Sequence, residues 1–356
     1  DYSGNFGTNA ITVGRNSSNI NGAASDFVLS KDNVTAQFIY VDGTQGWRVV
    51  FTGSQSGDGL SEKFITATGG SISNSGNCRI HTFTGPGTFT VTQVADCSAN
   101  NAVAYLVVAG GGGTGRSFGG GAGAGGFREG RTNPVTPYTA SPLVTTGHTV
   151  SAQAYPITVG AGGAKATPSG SDNPLQDGSN SVFSSFTSAG GGGGGHYSNT
   201  INTPVPNFNR QGHPGGSGGG GGDGAPEFGS GNTPPVSPPQ GNNGGAGASP
   251  GRSGGGGGAT AAGTAGASPG NAGTGGAGAT THITGSPVAY AGGGGGYGNP
   301  LGGQPGGTGG GGDGGNPGQA GTANTGGGAG GTGITPNTDM TGTGGSGIVI
   351  IRYKFQ

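Results

Sequence analysis

Short runs in which apolar and polar residues alternate occur near the start of the chain and predict β-strands. They cover residues 10–13, 27–30, 35–41 and 47–51. In the third run, Ala36, Phe38 and Tyr40 lie on one face of the predicted strand, and Gln37 and Ile39 on the other. Asn-Gly at 21–22 and Asp-Gly at 42–43 are typical of tight hairpin turns. These patterns predict a β-rich module over residues 1–52, and the Ser/Gly-rich segment 53–60 is typical of a linker.

A second group of strand-like runs, rich in β-branched and aromatic residues, begins after residue 60. These runs are 64–68, 79–83, 88–94 and 103–108, with a Gly-Pro-Gly turn at 85–87. The most strand-prone run of the chain, GIVIIRYKF, comes much later, at 347–355. We predict that it pairs with or lies close to 103–108, so that residues 61–108 and 347–356 form one small β-sheet domain. Residues 155–159 and 181–187 are expected to add strands near the base of the segment between these two runs.

The intervening residues 109–346 are dominated by glycine and follow neither pattern. The chain has 95 Gly among 356 residues, in clusters such as 190–195, 254–258 and 292–296. Glycine disfavours an α-helix by about 1 kcal/mol per residue and gives an ordinary sheet no side chains to pack. The polyproline-II helix has three residues per turn, and when its residues are glycine every N–H is free to bond to a neighbouring rod.

We therefore predict a slab of about six to ten polyglycine-II rods, inserted into the β-sheet domain, with loops that leave alternately at opposite ends. The predicted fold class is mostly β and irregular structure, with almost no α-helix. The chain also begins, at Asp1, in what reads as the middle of a strand-rich unit. We expect it to be a fragment or a processed form of a longer protein.

Charge and hydropathy argue against several classes of function. Charged residues make up 8% of the chain and the net charge is -1, so nothing supports nucleic-acid binding through phosphate contacts. No run of about 18 apolar residues is present, so no membrane insertion is expected. No Ser/His/Asp, paired-carboxylate or metal-ligand spacing occurs, so we expect no enzymatic activity, no metal and no cofactor. The only cysteines, Cys78 and Cys97, leave two alternatives open: a local disulfide between neighbouring strands, or two free, buried thiols.

Several motifs at the strand junctions resemble a known family. YLVVAGGGG at 105–113, ITVGAGG at 157–163, NSVF at 180–183 and GSGIVIIRY at 345–353 are similar to the glycine-rich domain of bacteriophage tail-fibre proteins. Residues 9–50 resemble a β-module found upstream of that domain, notably in phages that infect marine bacteria such as cyanobacteria. Similar polyglycine-II slabs occur in distal tail-fibre adhesins of T-even-like phages. The resemblance implies a virion component at the fibre tip, assembled with other tail-fibre chains as a homotrimer, whose loops contact the host surface.

The loops between the glycine clusters carry the side chains that such contacts would use. Aromatic residues offer contact area at low entropic cost, and Arg or His can bond sugars, phosphates or protein loops. The alternative is that these side chains cap rod ends and pin turns. The candidate receptor-binding residues are His196, Tyr197, Phe208, Arg210, His213, Glu227, Phe228, His282, Tyr290, Tyr297, Asp339 and Met340.

The preferred interpretation is a non-enzymatic tail-fibre adhesin that binds a host polysaccharide, lipopolysaccharide or outer-membrane protein. The alternative is a purely structural fibre or surface-filament subunit without receptor recognition. Exchange of loop 196–214 or 280–291 distinguishes the two hypotheses, because only an adhesin would lose binding to host cells while still folding.

Overall fold

The computed structural model describes residues 1, 4–32, 34–52, 63–115, 117–165, 176–196, 210–333 and 342–356. Over these ranges the protein is mostly β-strand and irregular structure, as predicted, and its helical content is one short 3₁₀ turn at Ser98–Asn101. The chain forms two compact units. The first contains Asp1–Lys63 and Ala95–Cys97, and the second contains Phe64–Val94 and Ser98–Gln356. The predicted linker, 53–60, lies outside the described residues.

Two antiparallel strand pairs build the first unit. β1 (Ile11–Val13) pairs with β2 (Phe27–Leu29), and β3 (Thr35–Asp42) pairs with β4 (Gly46–Thr52). The predicted Asn-Gly turn is present, because φ is 53° at Asn21 and 78° at Gly22, the left-handed pair that a type I′ turn requires.

The core of this first unit is small. Its large buried aliphatic side chains, among the described residues, are Ile20, Leu29 and Val34. The ring of Phe27 adds an edge-on contact with Phe38, with centroids 6.1 Å apart. A two-stranded pair is marginally stable in water, so this unit depends on the packing between its strand pairs.

Two sheets carry most of the regular structure of the second unit. The strands of this unit are β5 (Thr66–Thr68), β6 (Ser71–Ser75), β7 (Cys78–Phe83), β8 (Gly87–Gln93), β9 (Ala102–Val108), β10 (Phe127–Arg131), β11 (Val144–Thr146), β12 (His148–Thr149), β13 (Ala154–Thr158), β14 (Ser181–Phe183), β15 (Phe186–Ser188), β16 (Ala279–Thr281), β17 (Val288–Tyr290), β18 (Tyr297–Gly298), β19 (Gly302–Gly303) and β20 (Ile348–Lys354). The first sheet has the strand order β11-β10-β9-β20-β7-β6, with β12 also pairing with β9. The second sheet has the order β15-β14-β13-β8-β5.

The predicted closure of the sheet by the C-terminal strand is confirmed. β20 pairs antiparallel with β9, from Ile348 opposite Val108 to Arg352 opposite Ala104, and its other edge pairs with β7. The glycine-rich segment therefore leaves and re-enters the fold at neighbouring strands. It is an insertion with adjacent ends rather than a tail.

Side chains on both faces of β9 and β20 are buried. Tyr105, Val349 and Ile351 pack with the second sheet in one apolar cluster, which makes the two sheets a sandwich. Leu106 and Ile350 belong to a second cluster on the opposite face, formed with side chains of the glycine-rich segment. β9 and the first half of β20, Ile348–Ile351, are therefore continuous uncharged runs rather than amphipathic ones.

The two cysteines are free thiols in the structure, so the disulfide alternative is not realised. Cys78 is buried in β7, as expected, whereas Cys97 is exposed. The expectation of two buried thiols is therefore wrong for Cys97.

Hydrogen bonds in the glycine-rich segment repeat every three residues, as the predicted polyglycine-II geometry requires. Along 253–259, the N–H groups of 253, 256 and 259 bond to segment 291–297, those of 254 and 257 to segment 218–221, and those of 255 and 258 to segment 261–264. The N···O distances are 2.8–3.1 Å. Successive N–H groups thus point to three different neighbours, because a helix with three residues per turn rotates each one by about 120°.

Glycine is needed in these rods because the neighbouring backbones are very close. A Cβ on Gly256 would lie 1.9 Å from the carbonyl oxygen of Ala122, and one on Gly121 would lie 2.0 Å from that of Gly294. Alanine fits at some positions, and Ala122 and Ala124 are fully buried. We call this bundle of rods the glycine body.

Candidate functional site

The rods of the glycine body alternate in direction, so their connections are divided between two ends. N–H groups of 119, 122 and 125 bond to 332, 329 and 326, and those of 120, 123 and 126 bond to 195, 192 and 189. Both pairs of segments are therefore antiparallel. Residues 126, 189 and 326 lie beside the start of the first rod at Ala109, next to the sheet, while residues 115, 119, 195 and 332 lie at the other end. The predicted alternation of loops is confirmed.

We call the end away from the sheet the distal end and the end beside the sheet the proximal end. The described distal connections are 115–119, 223–227, 248–252, 267–271, 298–303 and 315–318. The proximal connections include 231–241, 260–262, 279–290 and 323–325.

One buried arginine joins three of the distal connections. Arg252 is 9% exposed, and its Nε donates to the carbonyl oxygen of Gly270 at 2.5 Å. Its Nη1 donates to the carbonyl oxygens of Pro250, at 3.2 Å, and of Asn299. The guanidinium group therefore donates to main-chain acceptors of loops 248–252, 267–271 and 298–303, and these hydrogen bonds fix the three loops to one another.

A buried aspartate joins a further set of distal connections. Asp223 is 8% exposed, and its Oδ1 accepts hydrogen bonds from the Gly251 N–H at 2.8 Å and from the Ser249 hydroxyl at 3.2 Å. Its own N–H donates to the carbonyl oxygen of Phe118 at 3.2 Å. Loops 115–119, 223–227 and 248–252 are therefore linked, with a carboxylate turned inward.

Four distal turns share a short sequence signal that the sequence analysis missed. They read ASPGR at 248–252, ASPGN at 267–271, GNPLG at 298–302 and GNPGQ at 315–319. Each has Ser-Pro or Asn-Pro at its centre, and all four of these peptide bonds are cis. Ser-Pro and Asn-Pro are recognisable turn signatures, so the repetition could have identified these connections as one set.

The exposed part of the described distal end includes large apolar side chains. Leu301 is 56% exposed and Phe228 is 42% exposed. The half-buried ring of Tyr297 lies 6.4 Å from the ring of Phe118, centroid to centroid. Glu227 is exposed, and its carboxylate accepts a hydrogen bond from the side-chain amide of Gln211. Such a surface can contact a partner through apolar area and hydrogen bonds rather than through strong charge.

The structure brings five of the sequence-predicted residues to the distal end: His196, Arg210, Glu227, Phe228 and Tyr297. The prediction that His196 is an exposed contact residue is wrong, because its side chain is 8% exposed and packs over Gly115.

Three other candidates lie elsewhere. His213 lies along a rod, with its Nδ1 3.0 Å from Oδ1 of Asp177. His282 and Tyr290 lie at the proximal end, in or beside the β16–β17 hairpin. Tyr290 is 4% exposed in the apolar core, where burial raises its pKa to about 12, so its assignment to an exposed loop is wrong. Sequence periodicity does not tell on which end of a rod a loop emerges.

Four candidates, Tyr197, Phe208, Asp339 and Met340, lie outside the described residues. Arg252 and Asp223 were not predicted, because most of their partners are main-chain groups, which carry no sequence signal. In the described part of the chain, no three His, Cys, Asp or Glu side chains come together as a metal site. No helix in that part is long and apolar enough to cross a membrane.

One known protein family matches most of the chain. The model of the glycine-rich domain matches residues 81–354. The chain therefore belongs to the glycine-rich domain family. The match begins within β7 and ends at the last residue of β20, so the glycine-rich domain takes in the central strands β9 and β20 as well as the glycine body. No curated protein and no solved structure matched the chain.

Proposed function

We propose that this glycine-rich domain protein is a phage tail-fibre tip protein, an extracellular virion component that binds a host surface receptor through its distal loops. The observation that carries the proposal is the gathering of many short connections at the distal end. They stand on rods whose backbones are hydrogen-bonded to neighbouring rods. A rigid base of this kind lowers the entropic cost of holding a contact surface. The resemblance of the junction motifs to tail fibres supplies the biological setting.

The chemistry of the distal surface favours a receptor recognised without strong charge. Arg252 and Asp223 are turned inward, whereas Leu301, Phe228 and Glu227 are exposed. A polysaccharide, the glycan of a lipopolysaccharide or a loop of an outer-membrane protein fits that surface. The protein acts as a non-enzymatic adhesin in this proposal, with no cofactor, no nucleic-acid partner and no insertion into the membrane.

Substitution of exposed distal side chains tests the proposal. Labelled protein is incubated with a panel of marine bacteria and cyanobacteria, and bound protein is measured by flow cytometry. Leu301→Ser and Phe228→Ser should each lower binding by about thirtyfold or more, since hot-spot side chains contribute about 2 kcal/mol or more. The matched control is Ile72→Ser, which removes an apolar side chain of similar exposure (52%) from β6, in the sheet.

The alternative, a structural fibre subunit without recognition, gives a different result. Binding that is unchanged in both distal variants and after exchange of the segment 197–209 would contradict the adhesin proposal, provided that thermal unfolding stays intact. The previously suggested exchange of 280–291 is unsuitable, because Thr281, Ile283 and Tyr290 are buried there and the change would disturb the core.

We further propose that the N-terminal unit assembles with other tail-fibre chains as a homotrimer. Ile39 and Val50 point to one face of the β3–β4 pair and are 46% and 42% exposed. Apolar side chains grouped on one face are typical of an interface. Light scattering on the purified chain should give three times 33.4 kDa. Ile39→Thr combined with Val50→Thr should lower that mass, and a monomeric parent protein would contradict the proposal.

A further inference from the structure

A cavity of about 610 Å³ lies at the far edge of the central sheet, away from the distal end. It is bounded by the turn between β6 and β7, by the end of β20 and by the loop that follows β10. The residues that line it are Ser75, Gly76, Asn77, Cys78, Asn100, Pro134, Val135, Pro137, Arg352 and Lys354. Its size lies within the range of about 300–1,000 Å³ that is typical of small-molecule sites.

Among the described residues that line this cavity, two side chains are cationic and none is acidic. Arg352 and Lys354 alternate with Tyr353 along β20 and therefore project from the same face of the strand, opposite to the aromatic core. Lys354 is half-buried, with its Nζ 4.8 Å from the ring centre of Phe64. A small anion that enters the cavity meets positive charge without a competing carboxylate on the walls.

The charge of Arg352 is buried and only partly compensated by the protein. The residue is 4% exposed, and its Nη1 and Nη2 donate to the carbonyl oxygens of Ile283 and Pro137 at 3.1 and 3.3 Å. Its Nε has no hydrogen-bond partner among the residues that the structure describes. Main-chain carbonyls accept hydrogen bonds but do not neutralise a guanidinium, and a buried charge normally requires a counter-charge.

A buried carboxylate on β10 accepts hydrogen bonds from neutral donors. Glu129 is 1% exposed and accepts hydrogen bonds from the Ser141 N–H at 2.9 Å and from the Thr281 hydroxyl at 2.5 Å. The guanidinium groups of Arg131 and Arg352 both lie against the ring of Tyr138, at 5.6 and 5.4 Å from its centre. Two guanidinium groups therefore lie against one aromatic ring, which places positive charge beside the cavity.

We propose that this cavity binds a sugar acid, that is, a small carboxylate that also carries hydroxyl groups. The carboxylate would pair with Lys354 and with the positive field of Arg352. Asn77 and Ser75 offer side-chain groups for hydroxyls, and Pro134 and Val135 supply an apolar wall for the C–H face of the ring. This site is separate from the distal loops, so it does not depend on the function proposed for them.

Calorimetric titration of the full chain with glucuronate, glucose and sodium sulfate tests the proposal. Glucuronate should bind, and glucose should bind at least about tenfold more weakly, since it lacks the charge-assisted hydrogen bonds. Raising the ionic strength should weaken glucuronate binding. Sulfate should compete with glucuronate but bind less tightly than it, because sulfate lacks the hydroxyl-bearing ring.

Lys354→Gln should weaken glucuronate binding by at least about tenfold, because it removes one cation from the lining. The matched control is Arg128→Gln, which removes a cation that lies over Phe186, outside the cavity, and should leave binding unchanged. Equal binding of glucose and glucuronate, absence of glucuronate binding, binding of sulfate alone, or an unchanged Lys354→Gln variant would each overturn the assignment.

Discussion

Gly256→Ala tests whether the glycine body is held together by direct backbone contact. The Cβ of an alanine at this position would lie 1.9 Å from the carbonyl oxygen of Ala122 in a neighbouring rod. Ordinary contacts of a Cβ begin at 3.4 Å, so the two backbones must separate by roughly 1.5 Å, the difference between these distances. Nothing flexible stands between them, because the colliding atom is itself backbone.

The expected cost follows from the bonds that this separation disturbs. Gly256 donates to the carbonyl oxygen of Gly294 at 2.8 Å, and Gly294 donates to that of Ala122 at 2.9 Å. Each hydrogen bond contributes about 1 kcal/mol net, and overpacking adds about 1–3 kcal/mol. Alanine also restricts the unfolded chain, which returns about 0.4–1 kcal/mol. The free energy of unfolding of the second unit should therefore fall by about 2–4 kcal/mol.

Differential scanning calorimetry measures this loss, and Gly85→Ala is the matched control. A Cβ at Gly85 meets nothing within 4 Å, and its φ is not in the left-handed region. The control should therefore keep or slightly raise Tm, whereas Gly256→Ala should lower Tm by about 4 °C or more at about 2 °C per kcal/mol. Equal Tm values for the two variants would refute the idea that the rods need glycine for their spacing.

Two further predictions concern pH and the distal loops. Burial lowers the pKa of both His81 and His148, so the folded state favours the neutral imidazole. These histidines therefore favour folding fully above about pH 6.5, the pKa of histidine in the unfolded chain, and this stabilisation is lost as the pH falls through the lowered pKa of the folded state. Calorimetry should show Tm falling between about pH 7 and pH 5, and a rise would contradict this. Arg252→Met removes the donors that join three distal loops, so hydrogen exchange measured by mass spectrometry should speed up by about tenfold or more in 267–271, while Arg128→Met leaves it unchanged. Equal exchange in the two variants would show that the arginine does not hold the loops.

The strands that could be predicted from the sequence are those whose own residues show the apolar or alternating pattern of a β-strand. Residues 103–108 and 347–351 carry no charged side chain, which is what a strand segment buried on both faces requires, and their pairing follows from that shared property. β10, with the sequence FREGR, has three charged residues and a glycine, and it was not predicted. It becomes a strand because it pairs with the free edge of β9. Gly130 also leaves room for the ring of Tyr105, since a Cβ at this position would lie 2.3 Å from that ring.

The sequence predicted that loops between glycine rods would form the candidate site, but it predicted only some of the residues that lie there. Three-residue periodicity and alternating loops follow from the physics of glycine, whereas the end at which a loop emerges depends on how the rods pack. Tyr290 shows the consequence, because an aromatic residue just before a glycine cluster belongs to the core when its loop is proximal. Arg252 and Asp223 hold the distal loops mainly through main-chain groups, and such contacts cannot be read from the sequence.

The three-residue period explains why the glycine body can tolerate change in its loops but not in its rods. Gly247 donates to Ala225 and Ser253 donates to Tyr297, so the rods on either side of loop 248–252 are bonded independently of the loop. Residues added to the loop leave those bonds in place. One residue added within 253–259 would instead rotate every later N–H by about 120°, so that a group directed at segment 291–297 would face a different rod. Variation is therefore confined by geometry to the connections, and the distal connections are those that lie farthest from the sheet core.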